Sequence, residues 1–218
     1  MIPRWWPAFL APALVALGLL VLHQVWFVFL AYHVALCLGL PLLAARREGL
    51  DARALARRLG LVREGLGTGL GLGALALAVP PLALLALPAA FPAAGPIRAV
   101  LADWGATGSE VPWVLLFLAA VNGPAEELFW RGYLQDRLLR GLPSAALLVL
   151  LFSSYHTVTV GALAPGPAGL ALMLGGVVGA AAFWTWSRRR WDSLWPALLS
   201  HLGATVGYVA VSWRILHP

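Results

Sequence analysis

Charged side chains are scarce in this sequence. Asp, Glu, Lys and Arg together make up 11% of the 218 residues, against about 25% in soluble domains. Lysine is missing altogether, so all fifteen basic residues are arginine. Hydrophobic residues reach 61%, and the mean hydropathy is +0.84. These figures exclude an ordinary soluble domain and predict a single multi-pass membrane domain over residues 1–218.

Reactive side chains are also rare in the N-terminal half. Cys37 is the only cysteine, which excludes an intrachain disulfide, and its apolar surroundings predict a small core residue. His23 and His33 have no acidic neighbour at helical spacing, so we expect them to be structural or interfacial. The alternate glycines of residues 65–73 precede no Gly-Lys-Ser/Thr, which disfavours a phosphate-binding loop.

The formal net charge of +6 would suit a nucleic-acid partner if the arginines were clustered on one domain face. They lie instead between apolar runs. When seven crossings are threaded with the N-terminus inside, thirteen arginines, Arg4 among them, fall on or near one side, and only Arg98 and Arg214 fall opposite. The positive-inside rule therefore predicts a cytoplasmic N-terminus, which we expect to lie in a prokaryotic plasma membrane, and no nucleic-acid partner.

The apolar runs predict an all-α polytopic bundle of about seven transmembrane helices. The first run has about twice the ~20 residues that cross a bilayer, and His23-Gln24 divides it into two helices. Small residues four apart, as in residues 65–73 and at Gly175 and Gly179, predict close helix packing in lipid. The predicted runs are 5–45 (two helices), 65–87, 111–139, 144–160, 168–186 and one from about 193 onward.

Two segments between the runs are polar. Residues 46–64 hold six arginines and three acidic side chains, which predicts an amphipathic helix on an anionic membrane surface. Residues 88–110 are a Pro- and Gly-containing connection in which Ser109 could cap the next helix. Arg137 and Arg140 mark the polar end of the run 111–139.

Three charged side chains interrupt the run 111–139, namely Glu126, Glu127 and Arg131. Each would cost roughly 2.5–3.5 kcal/mol near the centre of a bilayer, which makes the cluster a candidate functional site. Glu127 and Arg131 are four apart and can pair on one helix face, whereas Glu126 is rotated by about 100°. Glu126 is therefore predicted to lack a partner, to face an aqueous pocket and to serve as a general base.

Two histidines on later segments could converge with Glu126. His156 follows Phe152 by four residues and His201 precedes Thr205 by four, so each pair shares a helix face. One carboxylate and two imidazoles could activate a water molecule. The set Glu126, His156 and His201 also matches a zinc site of two histidines and a carboxylate, although no His-Glu-x-x-His motif is present.

The three groups of residues resemble the signature motifs of the CPBP intramembrane proteases, the family of CAAX prenyl proteases and bacteriocin-processing enzymes. The motifs occur in the family's order within residues 111–211, a catalytic core that follows an N-terminal part, 1–110. The resemblance implies hydrolysis of a peptide bond in a membrane-anchored protein or peptide. The motifs read Glu126-Glu127-x-x-x-Arg131, Phe152-x-x-x-His156, and His201 on a late helix.

The resemblance also implies roles for these residues. Glu126 and His156 would activate the attacking water, while Glu127, Arg131 and Phe152 would support the site structurally. His201 and the residue four positions later would stabilise the oxyanion. That residue is asparagine in the family and Thr205 here, which offers a single hydroxyl donor. The family is often described as metal-dependent, yet glutamate and histidine can activate water without a metal, so zinc stays open.

Two other functions are compatible with the same cluster. A catalytically weak or inactive relative could act as a membrane scaffold or immunity factor, with the charged residues only packing helices. A small-solute or proton transporter could use the carboxylates as a relay. No internal repeat is obvious in the sequence, which disfavours the transporter.

Overall fold

The computed structural model describes residues 6–135 and 142–217. All regular secondary structure in these two ranges is helical, which confirms the all-α prediction. Arg4, Arg137 and Arg140, which entered the sequence predictions, lie outside the described residues. The helices are α1 Trp6–Val21, α2 Val25–Arg47, α3 Ala52–Arg58, α4 Leu66–Ala86, α5 Ala94–Asp103, α6 Gly108–Leu134, α7 Leu142–Ser154, α8 His156–Leu163, α9 Gly166–Trp191 and α10 Trp195–Leu216.

Several of these helices are long and apolar enough to cross a bilayer. Three qualify alone, namely α2, α4 and α9. Two more spans are counted if each of two bent helix pairs crosses the bilayer once. These pairs are α5 with α6, bent by 97°, and α7 with α8, bent by 43°. The described residues thus support an integral membrane protein with three to five spans, and the predicted number of about seven is not confirmed.

The first apolar run divides where predicted. His23 adopts a left-handed backbone conformation with φ of 53°, and the chain reverses between α1 and α2. The reversal is fixed by backbone hydrogen bonds: Gln24 N–H donates to Gly18 O at 2.8 Å, and Val25 N–H donates to Trp104 O at 2.9 Å. The second bond connects the turn between α1 and α2 to the residue that follows α5.

The predicted amphipathic helix over 46–64 is wrong in its extent. Arg46 and Arg47 complete α2, and only the seven residues of α3 form a separate helix, capped by Asp51, which accepts from Ala54 N–H at 2.7 Å. Glycines in the left-handed conformation bound this short helix: Gly49 has φ of 68° and Gly60 has φ of 81°. Such a backbone cannot continue a right-handed helix.

The connection 88–110 contains a helix, α5, that the sequence pattern did not indicate. Its successor α6 is capped by Thr107, not by the predicted Ser109. Thr107 and Glu110 form a reciprocal capping box, in which Thr107 N–H donates to the Glu110 carboxylate at 3.1 Å.

The later helices also differ from their predicted bounds. The run 144–160 is not one helix, because the chain bends at Tyr155 and His156 begins α8. Helix α9 is longer than the predicted 168–186, and the three arginines of 188–190 form its last turn. Ser193 supports the start of α10, where its Oγ accepts from Trp195 N–H at 3.4 Å.

Close packing between glycines is confirmed for α4 against α10. A Cβ atom at Gly69 would lie 2.6 Å from Trp195 O, and one at Gly207 would lie 2.5 Å from Leu77 O. Gly203 faces Gly73 O still more closely. The same prediction is wrong for Gly175 and Gly179, because a Cβ on either would meet nothing within 4 Å among the described residues.

The backbone around the charged cluster departs from a regular α-helix. Helix α2 is π-helical over Phe29–Gly39, and α6 is π-helical over Leu118–Asn122 and Leu128–Leu134. These wider turns flank the short α-helical segment Gly123–Glu127, which carries both carboxylates. Such turns are frequent at functional sites.

Candidate active site

Glu126 lies at the centre of the bundle with only 1% of its surface exposed. Its Oε1 atom accepts hydrogen bonds from the hydroxyls of Tyr32 at 3.1 Å and Tyr155 at 2.9 Å. Tyr32 comes from α2 and Tyr155 from the bend between α7 and α8. The prediction that Glu126 lacks a partner is therefore wrong, because partners arrive from other helices and not from its own.

The two tyrosines belong to a longer hydrogen-bond chain. The indole N–H of Trp130 donates to Tyr32 OH at 2.9 Å, and the two tyrosine hydroxyls are 2.9 Å apart. Because indole can only donate, the hydrogen of Tyr32 is left for Tyr155 or Glu126. The chain thus holds Oε1 of Glu126, while Oε2 has no hydrogen-bond partner among the described residues.

Glu127 and Arg131 form the predicted ion pair. Arg131 Nη1 donates to Glu127 Oε1 at 2.8 Å, and both side chains have no exposed surface. Arg131 Nη2 also donates to Ala181 O on α9 at 3.1 Å, and its guanidinium lies 4.4 Å from the ring centre of Phe152. The ion pair is therefore anchored on α9 through Arg131, while Glu127 Oε2 and Arg131 Nε have no hydrogen-bond partner among the described residues.

His201 connects the two glutamates. Its Nδ1 lies 2.9 Å from Glu127 Oε1, and its Nε2 lies 3.7 Å from Glu126 Oε2. The ring stacks on Trp184 with 3.9 Å between ring centres. Trp184 is held in turn by a hydrogen bond, in which its indole N–H donates to Ser200 Oγ at 3.0 Å. Packing and hydrogen bonding therefore fix the orientation of this imidazole.

His156 lies beside the same cluster. Its Nδ1 donates to Phe152 O at 3.0 Å, and its ring centre lies 4.4 Å from that of Tyr155 and 4.9 Å from that of Phe152. Both rings connect it to the cluster, because Tyr155 donates to Glu126 and the ring centre of Phe152 lies 6.0 Å from that of His201. The structure thus brings the predicted site residues Glu126, Glu127, Arg131, Phe152, His156 and His201 together. Thr205 lies half-buried on α10, one turn beyond His201.

The sequence prediction missed one histidine of the site. His33 is 3% exposed, its Nε2 lies 2.8 Å from Asn122 Oδ1, and the same nitrogen is 3.7 Å from Glu126 Oε1. His23, in contrast, is exposed and lies 3.2 Å from Asp103, as an interfacial residue would.

Available signals could have pointed to the missed residues. Asn122 stands four residues before Glu126, and Tyr155 directly precedes His156. Tyr32 and His33 are polar side chains within an apolar run, and such residues usually face the interior of a bundle.

The candidate metal set does not have the geometry of a metal site. No group of three or more His, Cys, Asp and Glu side chains is arranged to hold a metal ion within residues 6–135 and 142–217. Glu127 Oε1 is occupied by Arg131 and His201, and Glu126 Oε1 already accepts from Tyr155. The residues as they stand do not fit a zinc ion.

A large cavity of about 930 Å³ lies elsewhere, between α1, α2 and the start of α3. Its walls are mostly leucine and alanine, with Arg46 and Asp51 at one end, and neither Glu126 nor His156 lines it. The predicted aqueous pocket at Glu126 therefore does not correspond to this cavity.

Part of the chain matches a known protein family. Residues 108–207 match the family model described as Type II CAAX prenyl endopeptidase Rce1-like. The match confirms the predicted family resemblance. The Rce1-like region contains all seven predicted site residues, but Tyr32 and His33 lie before it. Neither a curated protein nor a solved structure matches the chain.

Proposed function

We propose that the protein is an intramembrane endopeptidase that hydrolyses a peptide bond of a membrane-anchored protein or peptide. The carrying observation is the buried Glu126 carboxylate: hydroxyl donors hold one oxygen, and the other faces an imidazole at 3.7 Å. The family match, which describes an endopeptidase, supports the same reaction.

The chemistry requires a water molecule to be polarised and deprotonated beside the scissile carbonyl. Glu126 is suited to orient that water because Oε2 has no hydrogen-bond partner among the described residues. His156, whose Nδ1 donates to a carbonyl, offers a second acceptor at Nε2. These two residues keep the water-activating roles that the family resemblance implies.

The tetrahedral intermediate then needs donors for its oxyanion. The resemblance assigns this role to His201 and Thr205. For His201 the assignment requires a proton on Nε2, the nitrogen that faces Glu126. The threonine hydroxyl at 205 is a shorter donor than the family's asparagine, so we expect Thr205→Asn to retain or raise activity.

The substrate is expected within or at the surface of a bilayer. The apolar helices α2, α4 and α9 support an integral membrane protein. The arginine distribution over seven threaded crossings is the basis for a cytoplasmic N-terminus, and the prokaryotic plasma membrane stays an expectation. A prenylated tail and an unmodified membrane peptide are both compatible with the site, and the experiment below includes both.

The test uses purified protein in liposomes with a library of membrane-anchored peptides, half of them prenylated. Wild type, Glu126→Gln, His156→Ala and the matched control Glu110→Gln are compared, each with and without a zinc chelator. Glu110 is exposed, and glutamine is also accepted at its position in a capping box. We expect cleavage by wild type and Glu110→Gln, and a loss of at least about 10²-fold in the two site variants.

Other outcomes would overturn parts of the proposal. No cleavage of any peptide by a folded wild type would favour a scaffold or immunity factor. Full activity in Glu126→Gln would remove the carboxylate from the mechanism. Loss of activity with the chelator would show that a metal takes part after all.

A further inference from the structure

Helix α2 brings two neighbouring polar residues, Tyr32 and His33, to the surroundings of Glu126. Both stand before the region 108–207 that matches the protease family. Tyr32 is 1% exposed and His33 is 3% exposed. Burying a polar group is unfavourable unless it is paired, so the partners of these two side chains indicate what the residues do.

The Tyr32 hydroxyl belongs to a chain of hydrogen bonds that ends on Glu126. The indole N–H of Trp130 donates to this hydroxyl at 2.9 Å, so the single hydrogen of Tyr32 is donated onward. That hydrogen goes to Glu126 Oε1 at 3.1 Å or to the Tyr155 hydroxyl at 2.9 Å. In the second case Tyr155 donates its own hydrogen to Oε1 at 2.9 Å. In both arrangements Tyr32 helps to hold the same carboxylate oxygen.

His33 bonds to α6 one turn before Glu126. Its Nε2 lies 2.8 Å from Asn122 Oδ1, and Asn122 and Glu126 are four residues apart on one helix face. An amide oxygen only accepts hydrogen bonds, so Nε2 is the donor whether the ring is neutral or charged. The other ring nitrogen, Nδ1, has no hydrogen-bond partner among the described residues. His33 therefore acts on α6 through Nε2.

We propose that Tyr32 and His33 are positioning residues of the active site, which hold the Glu126 carboxylate and the turn that precedes it. The inference rests on the proposed function, and it adds α2 to a catalytic unit whose family match begins at residue 108. A glutamate carboxylate has a broad range of orientations about its last side-chain bond. Misplacing a catalytic group by about 1 Å can cost 10²-fold in rate, so fixing this orientation has a direct effect on catalysis.

The alternative is that the two residues only pack α2 against α6. The helices are also in apolar contact, because Phe29 stacks on Phe117 with 3.9 Å between ring centres. This contact lies beside His33, whose ring centre is 5.8 Å from that of Phe29. Phe29→Leu loosens the packing but removes no hydrogen-bonding group, which makes it the control for a purely structural role.

The first experiment measures kcat and KM of Tyr32→Phe in the liposome assay. The substitution removes one hydroxyl and keeps the ring, and we expect kcat to fall about 10–10²-fold with KM within about threefold of wild type. The controls are Phe29→Leu, which should unfold at a lower temperature, and Tyr208→Phe. Both should keep kcat within about threefold of wild type. A wild-type kcat in Tyr32→Phe, or an equal loss in Phe29→Leu, would overturn the positioning role of Tyr32.

Two amides at position 33 separate a hydrogen bond from mere filling of space. In His33→Gln the amide nitrogen reaches the place of Nε2 and can donate to Asn122 Oδ1. In His33→Asn the amide reaches only the place of Nδ1. We expect His33→Asn to lose about 10–10²-fold in kcat and His33→Gln to stay within about threefold of wild type. No loss in either variant, or a loss in His33→Gln that is equal or larger, would overturn the role of His33.

An infrared measurement tests the hold on Glu126 without any cleavage. The five glutamates are labelled with 13C, and the carboxyl band that disappears in Glu126→Gln is assigned to Glu126. We expect Tyr32→Phe to shift this band, because the hydrogen bonds at Oε1 change, and Tyr208→Phe to leave it in place. An unshifted band in Tyr32→Phe would contradict the inference.

The outcomes distinguish this inference from the proposed function. If wild type cleaves and Glu126→Gln does not, the endopeptidase proposal stands whatever the variants of α2 do. Wild-type rates in both Tyr32→Phe and His33→Asn would then overturn this inference alone. No cleavage by a folded wild type would overturn both, because positioning residues require a reaction to position for.

Discussion

The two faces of α10 are packed in opposite ways. One face places Gly203 and Gly207 so close to the backbone of α4 that there is no room for a side chain, and the ring of Pro80 also contacts Gly207. The other face directs His201 into a buried polar network that includes Glu126 and Glu127. The first interface depends on close van der Waals packing, which small residues allow between helices in lipid. The second depends on charge and hydrogen bonding, where one missing partner leaves a buried polar group unsatisfied.

The difference predicts which face is more sensitive to substitution. A polar network loses both a hydrogen bond and the satisfaction of the remaining partner when one member is removed. At the glycine face a new methyl group would press on backbone atoms of α4, so the two helices would have to move apart, but no polar group would lose its partner. We therefore expect the largest effects at the polar face and smaller ones at the glycine face.

The largest effect is expected for Arg131→Leu. It would leave the buried Glu127 without its arginine partner, and breaking such a pair typically costs 3–5 kcal/mol. The matched control is Arg58→Leu, which breaks the exposed pair with Glu48 and should cost up to about 1 kcal/mol. Chemical unfolding in detergent micelles measures both. Equal losses would mean that the Glu127–Arg131 pair is not buried as described.

A smaller effect is expected for Tyr155→Phe. The substitution removes one of the two hydroxyl donors to Glu126 Oε1, and hydrogen bonds to charged groups contribute about 1.5–3 kcal/mol. Tyr208→Phe is the control, because among the described residues the Tyr208 hydroxyl makes no hydrogen bond to a residue of the site. Only Tyr155→Phe should lower both the free energy of unfolding and the rate of cleavage. If Tyr208→Phe impairs them as much, the hydroxyl bond to Glu126 is not the cause.

A comparable or smaller effect is expected for Gly203→Ala. The new methyl would press on Gly73 O, and overpacking of this kind costs about 1–3 kcal/mol. Gly71→Ala is the matched control on α4, where a Cβ meets nothing within 4 Å, and it should be neutral or stabilise by up to about 1 kcal/mol. Thermal unfolding in micelles separates the two. If Gly71→Ala were destabilised and Gly203→Ala were unaffected, the interface assigned between α4 and α10 would be contradicted.

The two faces also differ in how far the sequence predicts them. Glycines four residues apart predict close packing from local spacing, and Gly69 and Gly73 confirm it. The same spacing fails at Gly175 and Gly179, because spacing alone does not show whether another helix lies opposite. The predicted helix bounds are wrong where the backbone conformation of a single residue ends the helix, as the left-handed conformation of Gly60 does.

The polar network is only partly accessible from sequence. Glu127 and Arg131 lie on one helix face, so their spacing in the sequence was sufficient to predict the ion pair. The partners of Glu126 come from α2 and from the bend at Tyr155, which no local pattern relates to it. His33 shows the reason most clearly: it has no acidic neighbour along its own helix, and its carboxylate partner lies 93 residues further along the chain.

The most direct test of the central claim follows oxygen from water into product. Wild type, Glu126→Gln and Glu110→Gln in liposomes are incubated with a cleavable membrane-anchored peptide in water enriched in 18O. We expect wild type and Glu110→Gln to produce a new carboxyl terminus that contains one 18O atom, and Glu126→Gln to produce none. Equal labelled cleavage by Glu126→Gln, or no cleavage by a folded wild type, would contradict an endopeptidase centred on Glu126.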